Sequence, residues 1–186
     1  MKLAICQINP LIGDFDKNKI KILEYVEKSK LLNANIIVFP ELSLCGYPPM
    51  DLIWDKEFIE RNNRALNEIA SFANIPIILG CIRSEGNKVF NSAAICFKNK
   101  LQEYYDKILL PNYDVFDEKR FFTSGIEPKI ILIPIKGQIK KVGVQICEDL
   151  WDEHYSCKVS SEQKKRGAEF IINISASPFN ENKINE

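Results

Sequence analysis

The feature that most constrains this chain is a series of short, nearly unbroken apolar runs set between longer helical or polar segments. Leu3–Ile8, Ile36–Phe39, Pro76–Ile82, Val89–Phe97, Ile130–Ile135, Val142–Ile146 and Phe170–Ile174 each read as a β-strand. Most are continuous Ile, Val, Leu or Phe rather than alternating in and out, so the sheet they form needs cover on both faces. Between the first two, Asp16 is placed to cap a helix carrying Ile20, Leu23 and Val26. Between the second and third, Phe58, Ala65, Leu66, Ile69 and Phe72 repeat at helical spacing. The turn Glu85-Gly86-Asn87-Lys88 leads into Val89–Phe97 and then Leu101–Tyr105, the pattern of a β-meander. A last helix, about Ser160–Arg166, stops at Gly167, a natural left-handed residue after a helix end. Strands interleaved with helices, plus a meander, predict an α/β or α+β fold with layered packing.

With 186 residues the chain has the size of one domain able to bury a sizeable core. Its 25 Lys and Arg balance 25 Asp and Glu, which removes the electrostatic ground for nucleic acid or an anionic membrane as partner. Cys6, Cys45, Cys81, Cys96, Cys147 and Cys157 are widely spread, form no Cys-x-x-Cys pair, and several lie inside apolar runs, where a thiol acts as a small hydrophobe. The apolar start, Met1 to Ile8, is broken by Gln7, Asn9 and Pro10 and is too short for a signal-peptide core. A reduced, cytoplasmic protein is expected. The basic run Lys164-Lys165-Arg166 falls at a helix end, where it complements the helix dipole on a solvated face.

Chemistry is best sought where an apolar strand stops at a reactive side chain. Glu41 follows Ile36-Ile37-Val38-Phe39-Pro40, and a carboxylate near apolar walls can take and return a proton near neutrality. Cys147 ends Val142-Gly143-Val144-Gln145-Ile146, with Val142, Val144 and Ile146 on one strand face and Gly143, Gln145 and Cys147 on the other. A strand-to-helix turn favours thiolate through its backbone N–H groups, whereas the adjacent Glu148 and Asp149 disfavour it. A nucleophilic Cys147 therefore needs a positive partner from elsewhere, and Lys107, ahead of Ile108-Leu109-Leu110-Pro111, is the candidate. Each residue alone also reads as an ordinary strand-end carboxylate, a buried structural thiol or a solvated lysine. Their joint occurrence is what raises the catalytic reading.

These three motifs, in this order, resemble the nitrilase or carbon–nitrogen hydrolase superfamily, whose triad is Glu, Lys and Cys. The resemblance is closest to the glutaminase domains of glutamine-dependent NAD+ synthetases. It rests on Glu41-Leu-Ser-Leu-Cys-Gly-Tyr-Pro-Pro-Met-Asp-Leu52, on Lys107-Ile-Leu-Leu-Pro-Asn-Tyr-Asp-Val-Phe-Asp-Glu-Lys-Arg-Phe-Phe122 and on Cys147-Glu-Asp-Leu-Trp151. It implies an αββα sandwich, with Glu41, Lys107 and Cys147 catalytic and Glu118 supporting them. It implies glutamine contacts from Tyr113, Glu148, Ser177 and Lys183. It also implies no metal or cofactor for the amide-hydrolysing step, and a homo-oligomer. The ATP and Mg of the family's synthetase domain would belong to a partner domain absent from this sequence. The family's sandwich continues beyond the point where Asn182-Lys-Ile-Asn-Glu186 stops, so the sequence is expected to be an incomplete sandwich over residues 1–186. Two other readings stay open: another amidase of the same superfamily, and a non-catalytic binding or assembly module. A metal site from Cys147, His154 and Cys157 offers three ligands in an unfamiliar spacing, and a Cys147–His154 dyad is equally weak.

Overall fold

In a computed structural model, which describes residues 1–178, the strands form two sheets lying face to face. The first takes β1 (Leu3–Ile5), β2 (Ile36–Val38), β3 (Ile77–Glu85), β4 (Lys88–Phe97) and β5 (Lys100–Asp106) in chain order. β1, β2 and β3 pair in parallel, and β3, β4 and β5 pair antiparallel, with Glu85 opposite Lys88 across the expected tight turn. The second sheet has β7 (Gln138–Ile146) between antiparallel β6 (Ile130–Ile135) and parallel β8 (Phe170–Ile174).

Continuous apolar strands are explained by where alternate residues go. Ile37, Ile77, Leu79 and Cys81 face a core shared with α1 (Phe15–Leu31) and α2 (Lys56–Ser71). Ile36, Val38, Ile78, Ala93 and Ile95 face the other way, onto Ile131, Ile133, Val142, Val144 and Ile146 of the second sheet. On the outer side of that sheet, α4 (Val159–Lys165) presses the buried Gln163 against Gly143 and Gln145. The order helices, sheet, sheet, helix is an α/β nitrilase-like sandwich with one short further helix, α3 (Glu118–Phe121).

Two helix expectations need correction. Asp14, not Asp16, caps α1, accepting from the Lys17 N–H at 3.1 Å. Its buried face is Phe15, Asn18, Ile22, Val26 and Ser29, which leaves Ile20 56% exposed. Asn18 explains the choice: its side chain bonds the Leu11 backbone in both directions and the Leu44 carbonyl, so a polar residue claims the inward position. In α2 the inward face runs through Phe58, Asn62, Ala65, Leu66 and Ile69, and Phe72 lies past the helix end, half exposed.

Candidate active site

Three strand ends converge on the candidate residues. Glu41 lies in the loop after β2, and this loop packs directly on β3. The Gly80 N–H donates to the Pro40 carbonyl at 3.1 Å, and the Leu44 N–H to the Gly80 carbonyl at 3.1 Å. A Cβ at Gly80 would stand 2.1 Å from the Leu42 nitrogen, so only glycine admits the loop that carries Glu41. Lys107 follows β5, its N–H bonded to the Asn91 carbonyl of β4 at 2.9 Å.

The side chains meet in the interior. The Lys107 ammonium, 1% exposed, donates to Glu41 Oε1 at 2.8 Å and to Glu118 Oε1 at 2.9 Å. Asn91 Nδ2 donates to the same Glu41 oxygen at 2.8 Å, and the Ala176 N–H donates to Glu41 Oε2 at 3.0 Å. Tyr47 donates its hydroxyl to Glu118 at 3.0 Å. Two buried carboxylates thus share one ammonium. Burial alone would push Lys107 down, but the charges of Glu41 and Glu118 outweigh it and hold its pKa above the ordinary lysine value. Burial, with Glu41 beside it, pushes Glu118 up to about 7 against the pull of Lys107.

Cys147 begins a short 3-10 turn, Cys147–Leu150, directly after β7, and its own φ is +46°. A non-glycine residue in this left-handed region is strained, a feature typical of reactive side chains thrust out of a sheet. Behind it, Gln163 donates to the Val144 carbonyl at 2.9 Å and accepts from Gln145 at 3.1 Å, which secures the strand end. Asp149, fully buried in the same turn, accepts from the N–H groups of Ile108, Leu109 and Ile146 and from the Tyr105 hydroxyl. Adjacent negative charge was expected to oppose a thiolate at Cys147. Instead, the Cys147 pKa is raised first by burial and then by Glu41, while Lys107 and hydrogen bonds from Ser175 and Ser177 pull it down. Burial and Glu41 thus favour the thiol form of Cys147.

Cys147 opens onto a cavity of ≈ 660 Å³ whose walls include Tyr113, Phe116, Glu148, Trp151, Tyr155 and Ser177. Ser177 Oγ lies 3.4 Å from the Cys147 sulfur. Glu148 accepts from the Tyr113 hydroxyl at 2.8 Å and the Tyr155 hydroxyl at 2.7 Å, presenting a pinned carboxylate beside the thiol. Glu41 lines a neighbouring cavity of ≈ 430 Å³ with Tyr47, and Ser177 belongs to both walls. The segment 175–177 therefore runs between the two side chains, touching Glu41 through Ala176 and Cys147 through Ser177. Lys183 lies outside the described residues. Among those described, no cluster of His, Cys, Asp or Glu is arranged to hold a metal ion.

Glu41, Lys107 and Glu118 are thus in direct contact, and Cys147, Glu148, Tyr113 and Ser177 share one cavity. Tyr47, Asn91, Asp149 and Tyr155 were not foreseen. Asn91 carried a signal, as a polar residue within the apolar run Val89–Phe97.

Known proteins carry the same framework. The profile of the family described as Carbon-nitrogen hydrolase matches residues 2–185. Glutamine-dependent NAD(+) synthetase from Aquifex aeolicus is 38% identical over 190 residues, spanning 98% of this chain and 31% of that protein. The structure of glutamine-dependent NAD+ synthetase from Acinetobacter baumannii, in complex with ADP, superposes with TM-score 0.88 and 30% identity over 98% of this chain and 34% of that one. An amidase from Nesterenkonia sp. superposes with TM-score 0.81 at 20% identity, covering 99% of this chain and 68% of that one, a likeness of fold. The chain spans about a third of the length of the curated relatives it matches. No helix among the described residues is long and apolar enough to cross a membrane.

Proposed function

The chain belongs to the carbon–nitrogen hydrolase family, and on that premise we propose that it hydrolyses the side-chain amide of glutamine, as the ammonia-supplying part of a glutamine-dependent NAD+ synthetase. The observation that carries this reading is the Lys107 ammonium, enclosed between Glu41 and Glu118, with Ala176 on Glu41 and Ser177 on Cys147 linking that ion cluster to the cavity where a strained Cys147 stands beside a pinned Glu148. The specificity for glutamine rests on relatives such as the Aquifex aeolicus protein, whose name states that dependence.

The chemistry follows from the charges. Because the thiol form of Cys147 is favoured, its proton must leave as the sulfur attacks the amide carbon. Glu41 takes that proton. Three donors occupy Glu41, leaving about one of a carboxylate's roughly four lone-pair sites to accept it. The Lys107 ammonium stabilises negative charge on the amide oxygen in the tetrahedral intermediate, a contribution of about 3–4 kcal/mol per donor in closed sites. Glu41 returns the proton to the departing nitrogen, the carbon–nitrogen bond breaks, and ammonia leaves a glutamyl thioester on Cys147. Water, deprotonated by Glu41, then cleaves the thioester to glutamate and restores the thiol. Glu148 receives the ammonium end of glutamine, flanked by Tyr113 and Ser177. This half-reaction uses no metal or cofactor; ATP and Mg belong to the synthetase domain of the larger, cytoplasmic, homo-oligomeric protein.

The test is ammonia release from glutamine by the full chain, beside a panel of other small amides. Glutamine turnover lost in Cys147→Ala supports the reading. Hydrolysis of other amides with glutamine untouched assigns an amidase instead, and no amide turnover at all rejects catalysis.

A further inference from the structure

We infer that Asp149 is a positioning residue, a buried carboxylate staple that sets Cys147 against Lys107; the inference rests on the proposed amide hydrolysis. Asp149 is 0% exposed and has no role in the proton and acyl transfers described above. Its contacts are not scattered. Oδ1 accepts from the Ile108 N–H at 3.1 Å and the Leu109 N–H at 2.9 Å, the two amides that follow Lys107. Oδ2 accepts from the Ile146 N–H at 3.0 Å, the amide that precedes Cys147. It also accepts from the Tyr105 hydroxyl at 3.0 Å, two residues before Lys107. One carboxylate therefore grips both sides of the lysine and the near side of the nucleophile, which otherwise belong to different sheets.

Geometry explains why a carboxylate is used here. The residue bearing the thiol has φ +46°, a conformation it keeps only if its neighbours hold it. The Oδ2 bond to Ile146 closes the turn on itself, and the Oδ1 bonds anchor that closed turn to the lysine loop. Four donors match the four accepting sites of an ionised carboxylate, a capacity an amide lacks. In Asp149→Asn the Oδ1 bonds can persist, and the Tyr105 hydroxyl can turn to accept. The Ile146 N–H then faces an –NH₂ group and is left without a partner. The substitution loosens the nucleophile's turn while leaving the lysine loop and the cavity walls in place.

Two measurements on the full chain test this. Asp149→Asn is expected to lower kcat for glutamine by about a hundredfold while KM moves less than about threefold, because misplacement by about 1 Å costs rate rather than binding. Alkylation of Cys147 by iodoacetamide, followed against pH by peptide mass spectrometry, is expected to shift to higher pH, because moving away from Lys107, a leading influence on the thiol, outweighs losing the Asp149 charge, which is not among its leading influences. Cys157, half-buried, is itself held up by burial and in part by the Asp149 charge, so its alkylation should move to lower pH in this variant, opposite to Cys147. An unchanged Cys147 profile in the folded variant overturns the inference, as does a kcat within about threefold of wild type. If Asp149→Asn does not fold, Tyr105→Phe removes one donor alone and is expected to shift the Cys147 profile in the same direction by less; no shift overturns the inference. Alkylation needs no glutamine, so a chain that proves inactive on glutamine defeats the proposed function while the thiol profile still decides the role of Asp149.

Discussion

Lys107 is the residue on which the site's electrostatics turn, since among the described residues it is the cation held between two buried carboxylates. Replacing it by Met keeps most of the stem and removes the charge. The oxyanion loses a donor and the thiol loses its positive neighbour, so glutamine turnover should fall about a thousandfold or more. Removing one member of a buried charge group also destabilises, typically by about 3–5 kcal/mol. The sign of its pH dependence is set by the remaining acids. With the cation gone, burial raises Glu118 unopposed, so its folded-state pKa stands further above the unfolded value, the folded state binds more protons and stability falls as pH rises through that window. Denaturant midpoints of Lys107→Met should thus drop further at about pH 8 than at about pH 6; a loss that shrinks with rising pH contradicts the buried triad. Glu118, pushed up to about 7, gives a second test. Glu118→Gln removes the group that titrates there, so a step at about pH 7 in kcat/KM should disappear in the variant. A step that persists unchanged removes Glu118 from this role. His154, by contrast, is exposed at the cavity rim, and no step uses it. His154→Ala should keep kcat within about threefold, and a loss matching that of Cys147→Ala would restore the cysteine–histidine reading.

At the scale of elements, the site depends on close approaches that only small residues permit. Gly80→Ala would drive a methyl against the Leu42 nitrogen at 2.1 Å and the Pro40 oxygen at 2.5 Å. The loop must move, and Glu41 moves with it. We expect a stability loss of about 1–3 kcal/mol but at least a tenfold loss of turnover, because orientation is lost with the packing. A folded Ala variant with wild-type kcat would show that the Glu41 loop tolerates displacement. Strand positions were legible in the sequence because β2 and the inner stretches of β3, β4 and β7 are buried on both faces and mostly apolar or small. The inward face of α1 was not. Ile20, Leu23 and Val26 fit a helical repeat as well as Phe15, Ile22 and Val26 do, and the decision fell to Asn18, whose partners are backbone groups remote in sequence. Glu41, Lys107 and Cys147 were legible through motifs at strand ends. Asp149 was not, because its sequence neighbourhood suggested only repulsion of a thiolate, and two of the donors that absorb its charge come from the lysine loop, about forty residues away in the chain.

Across the whole molecule, two cores meet at the first sheet, one under the helices and one between the sheets. Native thiol labelling should divide accordingly: Cys147 and Cys157 react in the folded protein, and Cys6, Cys45, Cys81 and Cys96 only on unfolding. The cavity sits where β7 ends and the lysine loop crosses from one sheet to the other, so catalysis is tied to the sandwich as a unit rather than to one loop. The central claim is that this assembly makes Cys147 an acyl carrier for glutamine. Its most direct test is to mix the full chain with glutamine, quench in acid, and locate adducts by peptide mass spectrometry while ammonia is measured in parallel. The account predicts a glutamyl thioester on the peptide bearing Cys147, formed with ammonia release and absent from Cys147→Ala. Ammonia released with the adduct on a different residue, or undiminished release from Cys147→Ala, would contradict it.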